Sequence, residues 1–432
     1  MTHKHAWPID TASITELRRK LHLIPEPGWC EYQTTAAIVN ELRELPLTLH
    51  VGSDAVKPDG RMGLPPKDEE QQFYELAKQA GVDEELLTRM QGGLTGVVAV
   101  LDTGKPGPNT ALRFDIDGLP ITEATSDHPP SNEGFISTHH GFMHACGHDG
   151  HTAIGVHVAK LCCEYRDQLS GTLTFLFQPA EEGSRGALAM IENGWLDQQD
   201  YYLSGHIGIH DLEVGTIASG TTQFLATTKL DVHFEGVSAH AGVDPSSGKN
   251  ALLAAATASL QLQAIAPHRD GVTRLNVGKL TAGEGRNIVA ERATMMMETR
   301  GETDELNAYV EKEARRILQA AAEMYDVSVT IETVGRGSTA ESSSSIGERL
   351  QADGDLVKRV IPPLSLGGSE DATHMMNHVA AQSGKAAYFL FGTPLPFGHH
   401  HPRFTFDEGV LPSAVAALTQ LVRSYHAKET LS

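Results

Sequence analysis

A change of rhythm along the chain sets the strongest limit on its fold. Short apolar runs at Gly96–Leu101 (GVVAVL), Thr110–Phe114, Gly171–Gln178 and Tyr201–His206 are separated by turns, with a helix predicted at Thr152–Arg166. Apolar runs of strand length alternating with helices indicate an α/β sheet covered on both faces. Residues 222–335 break that pattern. A strand (Lys229–Glu235) leads to a long helix (Lys249–Ala266), two strands (Val272–Thr281 and Ala290–Arg300), a helix (Glu305–Tyr325) and a last strand (Val327–Val334). This β-α-β-β-α-β order is that of a ferredoxin-like domain. The first rhythm then returns, with a strand at Ala386–Gly392, a turn rich in Gly, Pro and His, and a closing helix at Val410–His426. The expected organisation is one α/β domain in two pieces, residues 1–221 and 336–432, carrying a small domain inserted at 222–335.

The ends and linkers fit this division. A helix entered at Ser13 carries Leu17, Leu21 and Leu23 on its apolar face, and a turn at Pro25–Gly28 leads to a second helix. Val51–Gly93, polar and rich in Gln, Glu and Lys, reads as a partly helical excursion, and Thr339–Ser345 as a solvated connection. The balance of 34 Lys and Arg against 55 Asp and Glu gives a net charge of −21, which would repel nucleic acid and anionic membranes. No run approaches the ~18 apolar residues of a membrane helix, and the first residues lack a signal-peptide core. Four cysteines are too few and too irregular for a disulfide framework, so a reducing cytoplasm is expected.

A phosphate-site and a serine-enzyme resemblance carry little weight. Gly242–Lys249 (GVDPSSGK) has five residues between its glycines instead of the four of a phosphate-binding loop, and Asn250 stands where Ser or Thr would hold magnesium. Ser246–Lys249 matches Ser-x-x-Lys in a serine-rich turn where chance matches are common. The informative run is Met143–Thr152, MHACGHDGHT. Five of the 22 histidines (His139, His140, His144, His148, His151) fall within 13 residues around it. In an extended backbone Cys146 and His148, two apart, point to one side, a thiolate and imidazole pair suited to a transition metal. Phe177–Gly183 (FQPAEEG) ends an apolar strand with the adjacent carboxylates Glu181 and Glu182, where open α/β sheets place ligands. One such acid can hold a cation while its neighbour accepts a proton. His206 ends the next strand, and His399, His400 and His401 follow the last one.

These motifs resemble the aminoacylase/carboxypeptidase-G metallopeptidase family, in its amidohydrolase branch. The resemblance runs from Leu21–Gly28 (LHLIPEPG) to the final helix. Its markers are HACGHDGHT, FQPAEEG, GHIG at 205–208, SAHAGVDP with GKNA at 238–251, and GRNIV at 285–289. The insertion with RMGLP at 61–65, GSEDAT at 368–373 and FGT at 391–393 is most similar to the branch's hydrolases of aminobenzoyl-glutamate and indole-3-acetyl-aspartate.

The resemblance implies a mixed-sheet catalytic domain with an inserted dimerisation and lid domain. It implies two divalent metal ions per subunit, Mn2+ favoured and Zn2+ possible, held by Cys146, His148, Glu182, His206 and one histidine of the trio. His400 is chosen over His399 and His401 from the positions of Pro402 and Phe404. Glu181 would be the general base and Asp115 the acid holding a ligand in orientation, with strand-end solvation equally open for Asp115 and Asp117. From the inserted domain His240 would reach a neighbouring subunit's site as oxyanion donor, and Asn287, Arg300 and Arg336 would contact substrate. Ala290 stands where the branch usually has proline after GRNIV. The implied reaction is amide hydrolysis of an N-acyl amino acid, an aromatic acyl group on Glu or Asp. The partner would be a second copy through 222–335 or a related subunit. The alternatives are a broader dipeptidase or aminoacylase, and a non-catalytic relative that binds metal or amino acid. The presence of both Glu181 and Glu182 argues against the last.

Overall fold

The computed structural model describes residues 6–427, which pack as two compact units. The first takes in the chain up to Thr222, Ala340–Leu366 and the residues from Asp371 onward. The second is Gln223–Thr339 with Gly367–Glu370. The expected join at 335 lies four residues short, because the last strand of the small unit, Ser328–Gly337, passes a register shift between Thr333 and Gly335 and goes on pairing.

The first unit is built on an eight-stranded mixed sheet. Its strands run in the order Thr48–Val51, Val97–Asp102, Thr172–Gln178, Asn109–Asp115, Tyr201–Asp211, Lys385–Thr393, Thr216–Ala218 and Arg359–Ile361. The four central strands from Thr172–Gln178 to Lys385–Thr393 are parallel, so their C-terminal ends share one edge of the sheet. They are buried almost throughout, as expected of parallel strands with both faces covered. Helix His148–Glu164 lies against strand Asn109–Asp115. A Cβ at Gly155 would sit 2.5 Å from the Phe114 ring, so glycine lets helix and sheet approach closely. The polar excursion contains the helices Lys67–Gln79 and Glu84–Met90. The N-terminal helix spans Thr11–His22 and is capped by Asp10, which accepts from Ser13 N–H at 3.1 Å; Ser13 is thus inside the helix it was expected to open.

In the second unit four antiparallel strands lie in the order Ser328–Gly337, Ala226–Glu235, Arg292–Gly301, Thr273–Ala282. Helices Ala251–Leu262 and Asp304–Met324 bury Leu230, Val232, Phe234, Met295 and Met297 on one face. The alternate residues form the other, polar face. Both helices are capped by side chains, Asn250 on Leu253 N–H and Thr303 on Leu306 N–H.

Candidate metal centre

The candidate donors come from segments that follow the parallel strands of the first unit, except His206, which lies inside one of them. Cys146 and His148 flank Gly147, whose φ of 88° places it in the left-handed region and makes it the N-cap of helix His148–Glu164. The extended backbone expected across Cys146–His148 is thus a tight turn, and His148 is the first residue of a helix on which His151 lies one turn later. Beyond strand Thr172–Gln178 the chain turns sharply through Ala180 (φ 53°) and Gly183 (φ 85°), and Glu31 accepts from Ala180 N–H at 2.7 Å. This turn carries Glu181 and Glu182. His206 lies within strand Tyr201–Asp211, and the trio follows strand Lys385–Thr393. His400 has φ 62°, with its amide donating to the Ala145 carbonyl at 2.8 Å. Ile209, β-branched, has φ 68°. Such backbone costs of order 1–3 kcal/mol per residue and concentrates where function requires it.

The side chains converge. Ligand atoms of Cys146, Glu182 and His400 lie within 4.8 Å of one another, as do those of Cys146, His206 and His399, and those of His148, Glu181 and Glu182. Cys146 Sγ is 3.4 Å from His206 Nε2, and His400 Nε2 is 3.4 Å from Glu182 Oε1. His206 Nδ1–H donates to the Ile207 carbonyl at 2.8 Å, which leaves Nε2 as the nitrogen able to coordinate a metal. His401 stacks on Phe397 and accepts from Arg403 N–H at 3.0 Å. His399 accepts from Ile209 N–H at 3.1 Å, and burial pushes its pKa down to about 3.

Beside Asp115, which the sequence had singled out, stand several supports that it had not. Asp117 Oδ1 is 3.2 Å from His148 Nδ1, and Asp117 Oδ2 accepts from Glu182 N–H at 2.9 Å. Asp115 sits on His151 Nδ1 at 2.5 Å and 3.8 Å from His148 Nε2, and His151 Nε2 accepts from Ile207 N–H. Asp115 therefore acts on the backbone beside His206 through His151, whereas Asp117 fixes the His148 ring directly. Arg113 holds Asp115 at 2.7 Å and Asp371 at 3.0 Å, and Gln178 donates to Asp371. The alternation Asp115-x-Asp117 at a strand end was the one signal for this layer.

Charge and burial agree with a cation site. His148 Nε2 and Glu182 Oε1 are buried without a hydrogen-bond partner, although buried polar atoms are nearly always paired. Burial opposes a charge on His148, but Asp115, Asp117 and Cys146 together hold its pKa well above the usual imidazole range. His400 is pushed up to about 10 by Cys146 and Glu182. Burial and Glu182 raise the Cys146 thiol. A thiol and imidazoles that hold protons in this way bind divalent ions with proton release. The donor set fits metal.

The other expected site residues lie in the second unit. His240 is exposed, and its Nδ1 accepts from Gly242 and Val243 N–H at 3.2 and 3.1 Å. It pairs in an isolated bridge with Ile288, and Asn287 O accepts from Ala241 N–H at 2.9 Å, so His240 and Asn287 stand on adjacent segments. Arg300 is bound to Glu298 at 2.9 Å, and Arg336 to Glu311 at 3.0 Å.

Residues 111–424 match the model of peptidase family M20/M25/M40. The chain belongs to that family. It is 44% identical to indole-3-acetyl-aspartic acid hydrolase of Enterobacter agglomerans, over 94% of each chain. It is 43% identical to one of the subunits of p-aminobenzoyl-glutamate hydrolase from Escherichia coli (strain K12), over 95% of each. A solved aminobenzoyl-glutamate utilization protein from Klebsiella pneumoniae superposes with a TM-score of 0.80 at 38% identity, covering 96% of this chain and 95% of that one. As an M20 member the chain is a metal-dependent amidohydrolase of α/β fold, and divalent metal is its cofactor. Among the described residues no helix is long and apolar enough to cross a membrane.

Proposed function

We propose that this M20 member cleaves the amide bond between an aromatic acyl group and glutamate or aspartate, with aminobenzoyl-glutamate and indole-3-acetyl-aspartate as the leading substrates. The observation that carries the reading is buried Glu181 beside His148 Nε2 and Glu182 Oε1, buried atoms that make no hydrogen bond, in a chain similar throughout to two relatives named for those hydrolyses. Bound divalent ions polarise the scissile carbonyl and acidify water. Cys146, His148, Glu182, His206 and His400 would hold them in two sites. Imidazole, carboxylate and thiolate together admit manganese and zinc, and the resemblance to the amidohydrolase branch favours manganese.

Glu181 accepts the proton of the attacking water and returns it to the leaving amine, work that contributes roughly 10²–10⁴-fold. Because two backbone N–H groups occupy His240 Nδ1, its proton resides on Nε2. That is the donor an oxyanion needs, worth about 3 kcal/mol. Asn287, Arg300 and Arg336 contact the amino-acid half, with Asn287 offering an exposed amide beside His240. Asp115 orients the donors through His151.

Two copies pairing through residues 222–335 is the favoured assembly. Exposed Leu252, Leu253 and Leu260 on helix Ala251–Leu262 and the edge strand Thr273–Ala282 support it. A heteromer is the second reading, favoured by the Escherichia coli relative, whose name makes it one component of a hydrolase. Free buried Cys30, Cys162 and Cys163 suit a reducing cytoplasm.

A screen of metal-reconstituted protein on aminobenzoyl-glutamate, indole-3-acetyl-aspartate and N-acetyl amino acids tests the substrate. The two aromatic acidic conjugates should exceed the N-acetyl compounds in kcat/KM by about tenfold or more, the discrimination about 1.4 kcal/mol gives. Equal or greater turnover of N-acetyl compounds would favour a broad aminoacylase.

A further inference from the structure

We infer that the polar face of the second unit's sheet carries a carboxylate-binding pocket for an acidic amino acid, built on Arg274 and Arg300. The observation is one of register. Arg274 on strand Thr273–Ala282 lies directly opposite Arg300 on strand Arg292–Gly301. Residues so paired have Cβ atoms about 4.5–5.5 Å apart on the same face, and like charges there destabilise the sheet. A second acid would be the ordinary remedy. The column holds one, Glu298, paired across to Lys229 and bound to Arg300 at 2.9 and 3.2 Å. Lys229 and Arg300 thus already share that one carboxylate, and Arg274 is a third cation on the same face, in a chain whose net charge is −21. The Arg274 side chain has no hydrogen bond or ion pair among the described residues.

The two arginines border a cavity of about 280 Å³, with Asn276 and Glu298 beside them and Leu225 and Gly367 completing its wall. At about 30 Å³ per water this holds roughly nine waters' worth of ligand, the scale of a single amino acid. Edge strands do use exposed cations to discourage pairing. That use is served by any outward position, including Lys279 on the same strand, and gives no reason to set one guanidinium against another at a cavity. A planar carboxylate does, since guanidinium forks engage both of its oxygens. Asn276 can donate as well, and Leu225 covers an aliphatic stem.

Glutamate or aspartate fits this chemistry, either as the amino-acid half of the substrate proposed above, on which that version rests, or as the free amino acid. Full-length, metal-loaded protein with Arg274→Ala and Arg274→Lys separates these. Calorimetry with free glutamate, glutamine as control, should show binding weakened roughly ten- to hundredfold in Arg274→Ala, the loss expected for a charge-assisted hydrogen bond, and partly restored in Arg274→Lys. If the carboxylate belongs to the substrate, the KM ratio of aminobenzoyl-glutamate to aminobenzoyl-glutamine rises about tenfold in Arg274→Ala while the kcat ratio stays. If the free amino acid is the ligand, that ratio stays, and added glutamate alters hydrolysis of a neutral substrate in the wild type but not in Arg274→Ala. Glutamate binding and KM ratios both unmoved by Arg274→Ala would overturn the pocket. Glutamate binding lost in Arg274→Ala while the wild type hydrolyses no acidic conjugate would leave the pocket standing and remove the proposed substrate.

Discussion

Two buried histidine clusters meet at the first turn of helix His148–Glu164, and they differ in one respect. On one side His148 joins Cys146, Glu182 and His206, with His148 Nε2 and Glu182 Oε1 making no hydrogen bond. On the other, Asp149 takes His22 at 2.8 Å and Arg18 at 2.7 Å, while Glu123 takes His22 and His128 at 2.8 and 2.9 Å. Residue types, burial and even sequence position nearly coincide. The second cluster contains its own cation in Arg18, stacked on Phe406 at 4.5 Å, and its carboxylates are satisfied. The first gathers carboxylates and imidazoles around atoms left open. What separates the two is the resident cation Arg18 against the carboxylates of the second cluster, since nitrogens without a hydrogen bond occur in both, at His148 Nε2 in the first and at His128 Nδ1 and His144 in the second.

The largest test of this contrast is catalytic. Glu181→Gln should lower turnover by roughly 10²–10⁴-fold with metal content unchanged, read by steady-state assay beside elemental analysis. Turnover near wild type would remove Glu181 as the base. Next, Arg18→Met strips the closed cluster of its cation. Breaking a buried pair costs about 3–5 kcal/mol, so the denaturation midpoint should drop while metal per chain holds. If instead metal is lost and stability is not, the two clusters are not distinct.

Asp117→Asn acts through the ligand ring it holds and should weaken metal binding about 10–100-fold in chelator competition. An unchanged affinity would return Asp117 to strand-end solvation. The smallest effect is in pH. Burial would raise Glu123, but His128 and His22 bring it down to about 2. Its folded pKa is thus below the unfolded value of about 4.3. The stability it contributes is complete above about pH 4.3 and is lost as pH falls towards 2. Glu123→Gln should flatten that part of the acid limb in metal-free protein. An identical limb would show that Glu123 is not held by the histidines.

Much of this was legible in the sequence. The β-α-β-β-α-β order and the parallel strands announce themselves by apolar runs of strand length, and HACGHDGHT and FQPAEEG bring the metal donors with them. What stayed hidden depends on contacts between distant segments. Gly147 reads as a flexible residue until its left-handed φ turns Cys146–His148 from strand to helix start. Asp115 and Asp117 look alike until the site shows which one meets His148. Arg18 and Asp149, 131 positions apart in the numbering, carry no mutual signal. The opposition of Arg274 and Arg300 exists only once the register is known.

The central claim is that the open cluster holds paired divalent ions through Cys146, and counting metal per chain tests it most directly. Elemental analysis of purified, metal-loaded protein should find two ions per chain in the wild type and clearly fewer in Cys146→Ser, with the fold retained by circular dichroism. The same stoichiometry in both proteins would contradict the account.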